Sequence, residues 1–222
     1  KLMALTLSVQ LVLGVGLALL VTQRLPGMAL ARTLLLIPMM LSPVIVGLVW
    51  LFLYFPELGY LNYFLELVGF GPIPWITSTR WALFAIAICD IWQWTPFFMM
   101  GTAAALQSLP VEPYEAARID GNSRWDVFWS VTLPQLKPVL VSLLFLRAID
   151  AFKIYDIIFV LTKGGPGDST EVMSMFIYRQ SFTFWRMGVG AAASFVSLII
   201  ISVLITLFFK SMQRSQAAYA AR

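Results

Sequence analysis

The chain has 222 residues, 60% of them hydrophobic and only 12% charged. A soluble domain carries about 25% charged and roughly 45–50% apolar residues, so the composition excludes an ordinary water-soluble globule. The net charge of +4 comes from scattered Lys and Arg that flank apolar runs, which fits the positive-inside rule and does not point to nucleic acid.

The apolar runs are continuous and do not alternate, so the expected class is an all-α polytopic membrane helix bundle rather than a barrel. The length allows roughly five spans of about 20 residues each. There is no His and one cysteine, Cys89, within an apolar run. That removes the commonest metal ligand and leaves no disulfide framework. Lys1 is not a Met, and an apolar run starts at once with no small-residue cleavage site after it. The natural beginning is therefore expected to lie upstream, with an earlier helix or helices missing.

Leu2 to Val21 is the first predicted span. Gly14 and Ala18 form a small-xxx-small pair that permits close helix approach, but plain lipid-facing packing is expected here. Thr22 to Arg32 is a short turn, and Arg24 and Arg32 with no acid make it cytoplasmic. Thr33 to Phe55 is the second span. Its Pro38 and Pro43 each remove a helix hydrogen bond and predict kinks, for movement or for packing. Pro56 to Thr79 is an external loop, in which Tyr60 to Val68 reads as a short amphipathic surface helix. Trp75 and Trp81 suit the interfacial belt.

Arg80 to Leu106 is the third span. Asp90, Gln93, Trp94 and Phe97 fall at i, i+3, i+4 and i+7 and share one face. An ionisable residue within a span marks a functional site by default; the alternative is a structural Asp paired to a neighbouring helix. Aromatics beside an amide and a carboxylate also suit carbohydrate, with ring faces on sugar C–H groups and polar groups on hydroxyls.

Residues 106–137 form a polar cytoplasmic loop. Its stretch from Glu115 to Pro134 holds five of the chain's 26 Asp, Glu, Lys and Arg residues, although it lies between two long apolar segments. Pro113 suits a first helical turn and Gly121 a position just past a helix end. Ser123 and Asp126 make a capping-box start for a second helix, which Pro134 is expected to end. Two short helices hinged at Asp120-Gly121-Asn122 are predicted.

Pro138 to Leu161 is the fourth span, with Arg147, Asp150, Lys153 and Asp156. Four charges in one span must pair or line water. Arg147, Asp150, Ala151 and Ile154 share a face, while Lys153 and Asp156 read as a structural i,i+3 pair near the outer end. Residues 162–186 form a second external loop. Its Gly164-Gly165-Pro166-Gly167 is a turn sequence without the Gly-Lys-Ser/Thr of a phosphate-binding loop. Met187 to Phe209 is the last span, with a small-residue surface at Gly188, Gly190, Ala191 to Ala193, Ser194 and Ser197. The tail, 210–222, is cytoplasmic. This topology puts eight Lys and Arg inside (Arg24, Arg32, Arg118, Arg124, Lys137, Lys210, Arg214, Arg222) and five outside or at the outer rim (Lys1, Arg80, Lys163, Arg179, Arg186).

Glu115-Ala116-Ala117, three residues, Gly121, nine residues, then Val131-Thr132-Leu133-Pro134 resembles the "EAA" loop signature of the permease subunits of bacterial ABC importers. Val131 stands where the pattern usually has Ile. Leu106-Gln107-Ser108-Leu109-Pro110 before it and Leu161 to Gly167 after it look like the sugar-importer branch. Its relatives include the larger maltose-importer permease and the glycerol-3-phosphate importer permease. The likeness covers nearly the whole chain, as one permease domain over 1–222 that starts inside the second helix of a six-helix core.

The resemblance implies a bacterial inner-membrane protein of the type I (MetI-like) importer fold that moves a sugar, of di- or oligosaccharide size, by alternating access. Glu115, Ala116, Ala117, Arg118, Asp120 and Gly121 would be coupling-helix residues seated in a separate ATPase subunit. ATP and Mg would be bound by that ATPase dimer, and this chain itself would hold no cofactor and no metal. The further partners implied are a second homologous permease subunit, an external solute-binding protein and membrane lipid. In the maltose-type relative, sugar contacts come from two helices that align with Gln93, Trp94 and Phe97 and with Arg147, Asp150, Ala151 and Ile154. That relative is less charged there, so Arg147 and Asp150 stay open between solute contact and a gate ion pair. The solute also stays open to glycerol-3-phosphate, a polyol or an acidic saccharide. A passive channel or structural membrane subunit is the competing class, and the polar loop argues against it. No nucleophile accompanies the span carboxylates, so an enzyme is not expected.

Overall fold

Apolar helix length sets the architecture. The computed structural model describes residues 2–23 and 25–220, and of these the side chains of all but 207 and 211–220. The charges counted at Lys1, Arg24 and Arg222, and the Arg214 side chain, lie outside the described residues. Every regular element among the described residues is helical. Four helical stretches are long and apolar enough to cross a membrane: Leu2–Val21, Ala82–Gln107, Arg124–Phe152 and Met187–Lys210. A broken pair, Met28–Met40 with Pro43–Leu53, raises the number to five.

Helix α1 (Leu2–Val21) packs along α5 (Ala82–Gln107), the most enclosed helix of the bundle. A Cβ on Gly14 would lie 2.3 Å from the Cβ of Phe98, so the two backbones meet there with no room for a side chain. Ala18 packs with Met99 and Ala103 of α5. The lipid-facing expectation for this pair is thus corrected. Among lipid tails the gain from close van der Waals packing of small residues outweighs exposing them to lipid.

The second predicted span is two helices, α2 (Met28–Met40) and α3 (Pro43–Leu53), bent by 97°. The ring of Pro43 disfavours helical backbone at Ser42, which is extended (φ −61°, ψ 137°). Pro43 then opens α3 at a first-turn position, where its missing N–H costs nothing. The predicted surface helix is α4 (Tyr60–Leu67). Its buried Asn62 accepts from the Ile73 backbone N–H (3.1 Å) and from Trp75 Nε1 (2.9 Å), which folds the following loop back over it.

The polar stretch forms α6 (Glu112–Ile119) and α7 (Arg124–Val127). After α6 the Gly121 N–H bonds the Arg118 carbonyl and the Asn122 N–H bonds the Ala117 carbonyl, both at 3.1 Å. This is a Schellman ending, and Gly121 takes its left-handed position with φ 74°. The Ser123–Asp126 capping box is present in full.

Pro134 does not end the second helix. A π-turn over Phe128–Thr132 leads directly into α8 (Leu133–Phe152), so Arg124–Phe152 is one continuous 29-residue helix. The Leu133 N–H reaches back five residues to Phe128. That widened turn changes the hydrogen-bond register just before the proline. The fourth span accordingly starts earlier than Pro138 and stops at Phe152. Residues 153–155 are non-helical, and a short α9 (Asp156–Leu161) follows and packs on α3.

In the segment 162–186, α10 (Met173–Tyr178) runs into another π-turn, Arg179–Thr183. Arg179 holds Asp168 at 3.0 Å and Glu171 at 2.9 Å. Helix α11 (Met187–Ala220) touches this loop at Gly190, where a Cβ would lie against Ser181. None of the apolar window of Met187–Lys210 is buried within the chain.

Candidate functional site

The centre of the bundle is a charge network built from three helices. Arg147 on α8 donates to Asp90 on α5 (Nη2 to Oδ1, 2.5 Å) and to Asp150 one turn along its own helix (Nη1 to Oδ2, 3.0 Å). Gln10 on α1 donates through Nε2 to Asp90 Oδ2 at 2.9 Å and to the Asp90 carbonyl at 3.0 Å. The Arg147 guanidinium lies 4.7 Å from the centre of the Trp94 ring. A cation over an aromatic face contributes about 0.5–2 kcal/mol, more as the pair loses water. Asp90 is therefore paired to a neighbouring helix, as one reading of the sequence allowed.

The two predicted faces meet around this network. Gln93 turns away from the network and donates to the Leu41 carbonyl at 3.0 Å, which satisfies one acceptor at the α2–α3 break. Trp94 sets a ring face against Arg147 and also lines the cavity described below. Phe97 packs edge-on against Trp94 and Phe98. Ala151 is buried, and Ile154 packs on the core around Val46, Ile86 and Ile158.

Beside the network lies a cavity of about 260 Å³. Asp90, Trp94, Arg147 and Asp150 form one wall, and Lys153 to Ile157 form the other with Pro43. Lys153 and Asp156 line this space, and among the described residues no ion pair joins them. The expected i,i+3 pair is lost because the helix ends at Phe152, between the network and Asp156. Gln10 is the residue the sequence reasoning passed over. Its signal was present, as the one amide in Leu2–Val21. Arg147 Nε, Gln10 Oε1 and Gln93 Oε1 are buried and find no partner among the described residues.

The polar loop is a separate surface. Glu115, Ala116, Arg118, Asp120 and Gly121 are exposed, and Ala117 is buried. Val111, Ile119 and Trp125 are also exposed, Ile119 at 86%. Tyr114 donates to Thr132 Oγ1 at 3.2 Å, which ties α6 to the π-turn at the foot of α8. The loop's second helix is thus continuous with the helix that carries Arg147 and Asp150.

Comparison with known proteins gives a consistent picture. A family model described as "binding-protein-dependent transport system inner membrane component" matches residues 10–218. The trehalose/maltose transport system permease protein MalF of Thermococcus litoralis is 37% identical over 92% of this chain and 69% of its own length. The sulfoquinovosyl glycerol transport system permease protein SmoG of Agrobacterium fabrum is 35% identical over 93% of this chain and 67% of its own. This chain therefore spans about two thirds of the curated relatives it matches. In solved structures the fold is similar to a chain of a bacterial alginate ABC transporter in complex with a pentasaccharide-bound periplasmic protein. The TM-score is 0.86 at 24% identity, covering 96% of this chain and 75% of that one.

Proposed function

Because the chain belongs to the binding-protein-dependent transport system inner membrane component family, we propose that it is a transmembrane subunit of an ATP-driven sugar importer. Its solute is a neutral di- or oligosaccharide of the trehalose and maltose kind, the kind named for one of its relatives. A second permease subunit completes the path, an external binding protein delivers the sugar, and a separate ATPase dimer supplies the work. In this reading ATP and Mg are held by that ATPase partner.

The observation that carries this reading is the continuous helix from loop to cavity. Glu115 to Gly121 present an exposed, small-faced docking surface, with Ala116 open and Gly121 making the turn. From Arg124 to Arg147 the same helix runs 23 residues, about 35 Å at 1.5 Å per residue. A push on the loop as the ATPase closes would reach Arg147 and Asp150 without crossing a non-helical break. The cavity is slightly smaller than the roughly 300–1,000 Å³ typical of ligand sites, which suits a half-site that a second subunit completes.

Reconstitution tests it. The chain is co-expressed with its partner permease, ATPase and binding protein, and radiolabelled trehalose and maltose uptake is followed in proteoliposomes. ATP-dependent accumulation of either sugar is expected. Uptake that proceeds equally well without ATP would sink the importer reading in favour of a channel.

A further inference from the structure

We propose that Asp150 is the group that meets the solute, while Arg147, Asp90 and Gln10 stand behind it as positioning residues. The inference rests on the importer reading above and divides the roles within its site. Burial decides the division. The Asp150 side chain is 48% exposed and lines the cavity, whereas Arg147 and Asp90 are each 2% exposed.

The guanidinium is held on three sides. Nη2 is on Asp90, Nη1 is on Asp150, and the Trp94 ring lies against its face. Asp90 is fixed in turn by the Gln10 amide, through both its carboxylate and its backbone carbonyl. A solute in the cavity meets Asp150 before it can meet Arg147. Arg147 uses only Oδ2 of Asp150, and no described protein group donates to Oδ1. A carboxylate is an acceptor only, so that free oxygen takes hydroxyl donors. Asp90, Arg147, Asp150, Lys153 and Asp156 sum to one formal negative charge at the cavity, which favours hydroxyl-rich neutral solutes over anionic ones. The layout makes Asp150 a pre-aimed hydroxyl acceptor, and the fork of Arg147 does the aiming.

The test is a double-mutant cycle on the reconstituted importer, with trehalose and maltose as probes and KM and kcat read separately. Asp150→Asn should raise KM about tenfold, the size of one lost charge-assisted hydrogen bond, with kcat nearly unchanged. Arg147→Lys keeps the charge but cannot serve two carboxylates at once, and should raise KM about fivefold. In the Asp150→Asn background the same Arg147→Lys change should raise KM less than about twofold, because its target is gone. An equal factor in both backgrounds would show that Arg147 touches solute itself and would overturn the layering. So would an unchanged KM in Asp150→Asn.

A second arm needs no solute. Carbodiimide with an amine nucleophile, applied to the purified complex and read by mass spectrometry, should label Asp150 and spare Asp90. Equal labelling of Asp90 would overturn the proposal. If the wild-type importer takes up neither sugar, the sugar reading falls, and the labelling arm still decides the layering.

Discussion

Five charged side chains stand in the polar loop between Glu115 and Asp126, and five stand around the cavity beside Arg147. Three of the cavity set, Asp90, Arg147 and Asp150, pair with one another, and the loop set does not. Around the cavity, Arg147 bonds two carboxylates, and a glutamine from a third helix braces one of them. In the loop, no ion pair forms among the described residues, and the Asp126 carboxylate bonds only within its own helix cap. The solvent accounts for the difference. In lipid an uncompensated charge is costly enough that the chain must supply the counter-charge itself. In water an exposed pair contributes about 0–1 kcal/mol, so the loop can leave its charges unpaired at little cost.

The largest expected effect tests the buried half of this comparison. Asp90→Ala leaves Arg147 with one partner, and that partner is half in the cavity. Breaking a buried pair from one side costs about 3–5 kcal/mol. The variant should accumulate poorly in membranes and lose thermal stability in detergent. Wild-type levels and stability would mean that the pair holds nothing together.

Next in size is Gly121→Val, which tests the exposed half. A Cβ on Gly121 would meet nothing within 4 Å, so the effect is conformational and not steric. The backbone there has φ 74°, and a β-branched residue resists that region by about 1–2 kcal/mol or more. The Schellman ending should open and the two loop helices swing apart. Insertion should stay normal while ATP hydrolysis and sugar uptake become uncoupled. Intact stoichiometry of uptake to hydrolysis would remove the loop from the coupling path.

These two substitutions also divide what the sequence could and could not reveal. Spans were legible because about 20 consecutive apolar residues need no tertiary information. The loop was legible because Pro113, Gly121, Ser123 and Asp126 each act on their nearest backbone neighbours, and all four sit where they were predicted. Pro43 announced a kink, but its 97° bend also has Gln93 of another helix on the Leu41 carbonyl. Pro134 misled because the π-turn before it shifts the register, and no single residue encodes that shift. The faces around Asp90 and Arg147 were found by helical period. Gln10 stands out locally as the one amide of its span, but its partner lies 80 residues away in the chain, beyond the reach of any local rule.

A smaller effect is expected from Trp94→Ala. The ring backs the Arg147 guanidinium from 4.7 Å, and losing it removes about 0.5–2 kcal/mol of cation–π attraction. Arg147 keeps both carboxylates, so the variant should fold and bind its ATPase as the wild type does. Through the loosened aim of Asp150, KM for sugar should rise about twofold to tenfold. Unaltered uptake kinetics would detach Trp94 from the site, and lost ATPase docking would deny the separation between cavity and loop.

The smallest effect belongs to Ser123→Ala, at the start of the long helix. The Ser123 hydroxyl accepts from the Asp126 N–H, and Asp126 in turn accepts from the Ser123 N–H, both at 3.2 Å. Removing an N-cap hydroxyl costs about 1 kcal/mol, a factor of roughly five in the opening of the first turn. Amide exchange at Asp126 and Val127 should quicken by about that factor, while exchange around Asp90 and Arg147 stays unchanged. The contrast between the two regions makes this variant informative. If the helix from Arg124 to Phe152 transmits force as one rod, fraying its free end should lower the sugar moved per ATP without changing KM. A change in KM with unchanged coupling would mean that the loop senses the cavity by some other route than the helix they share.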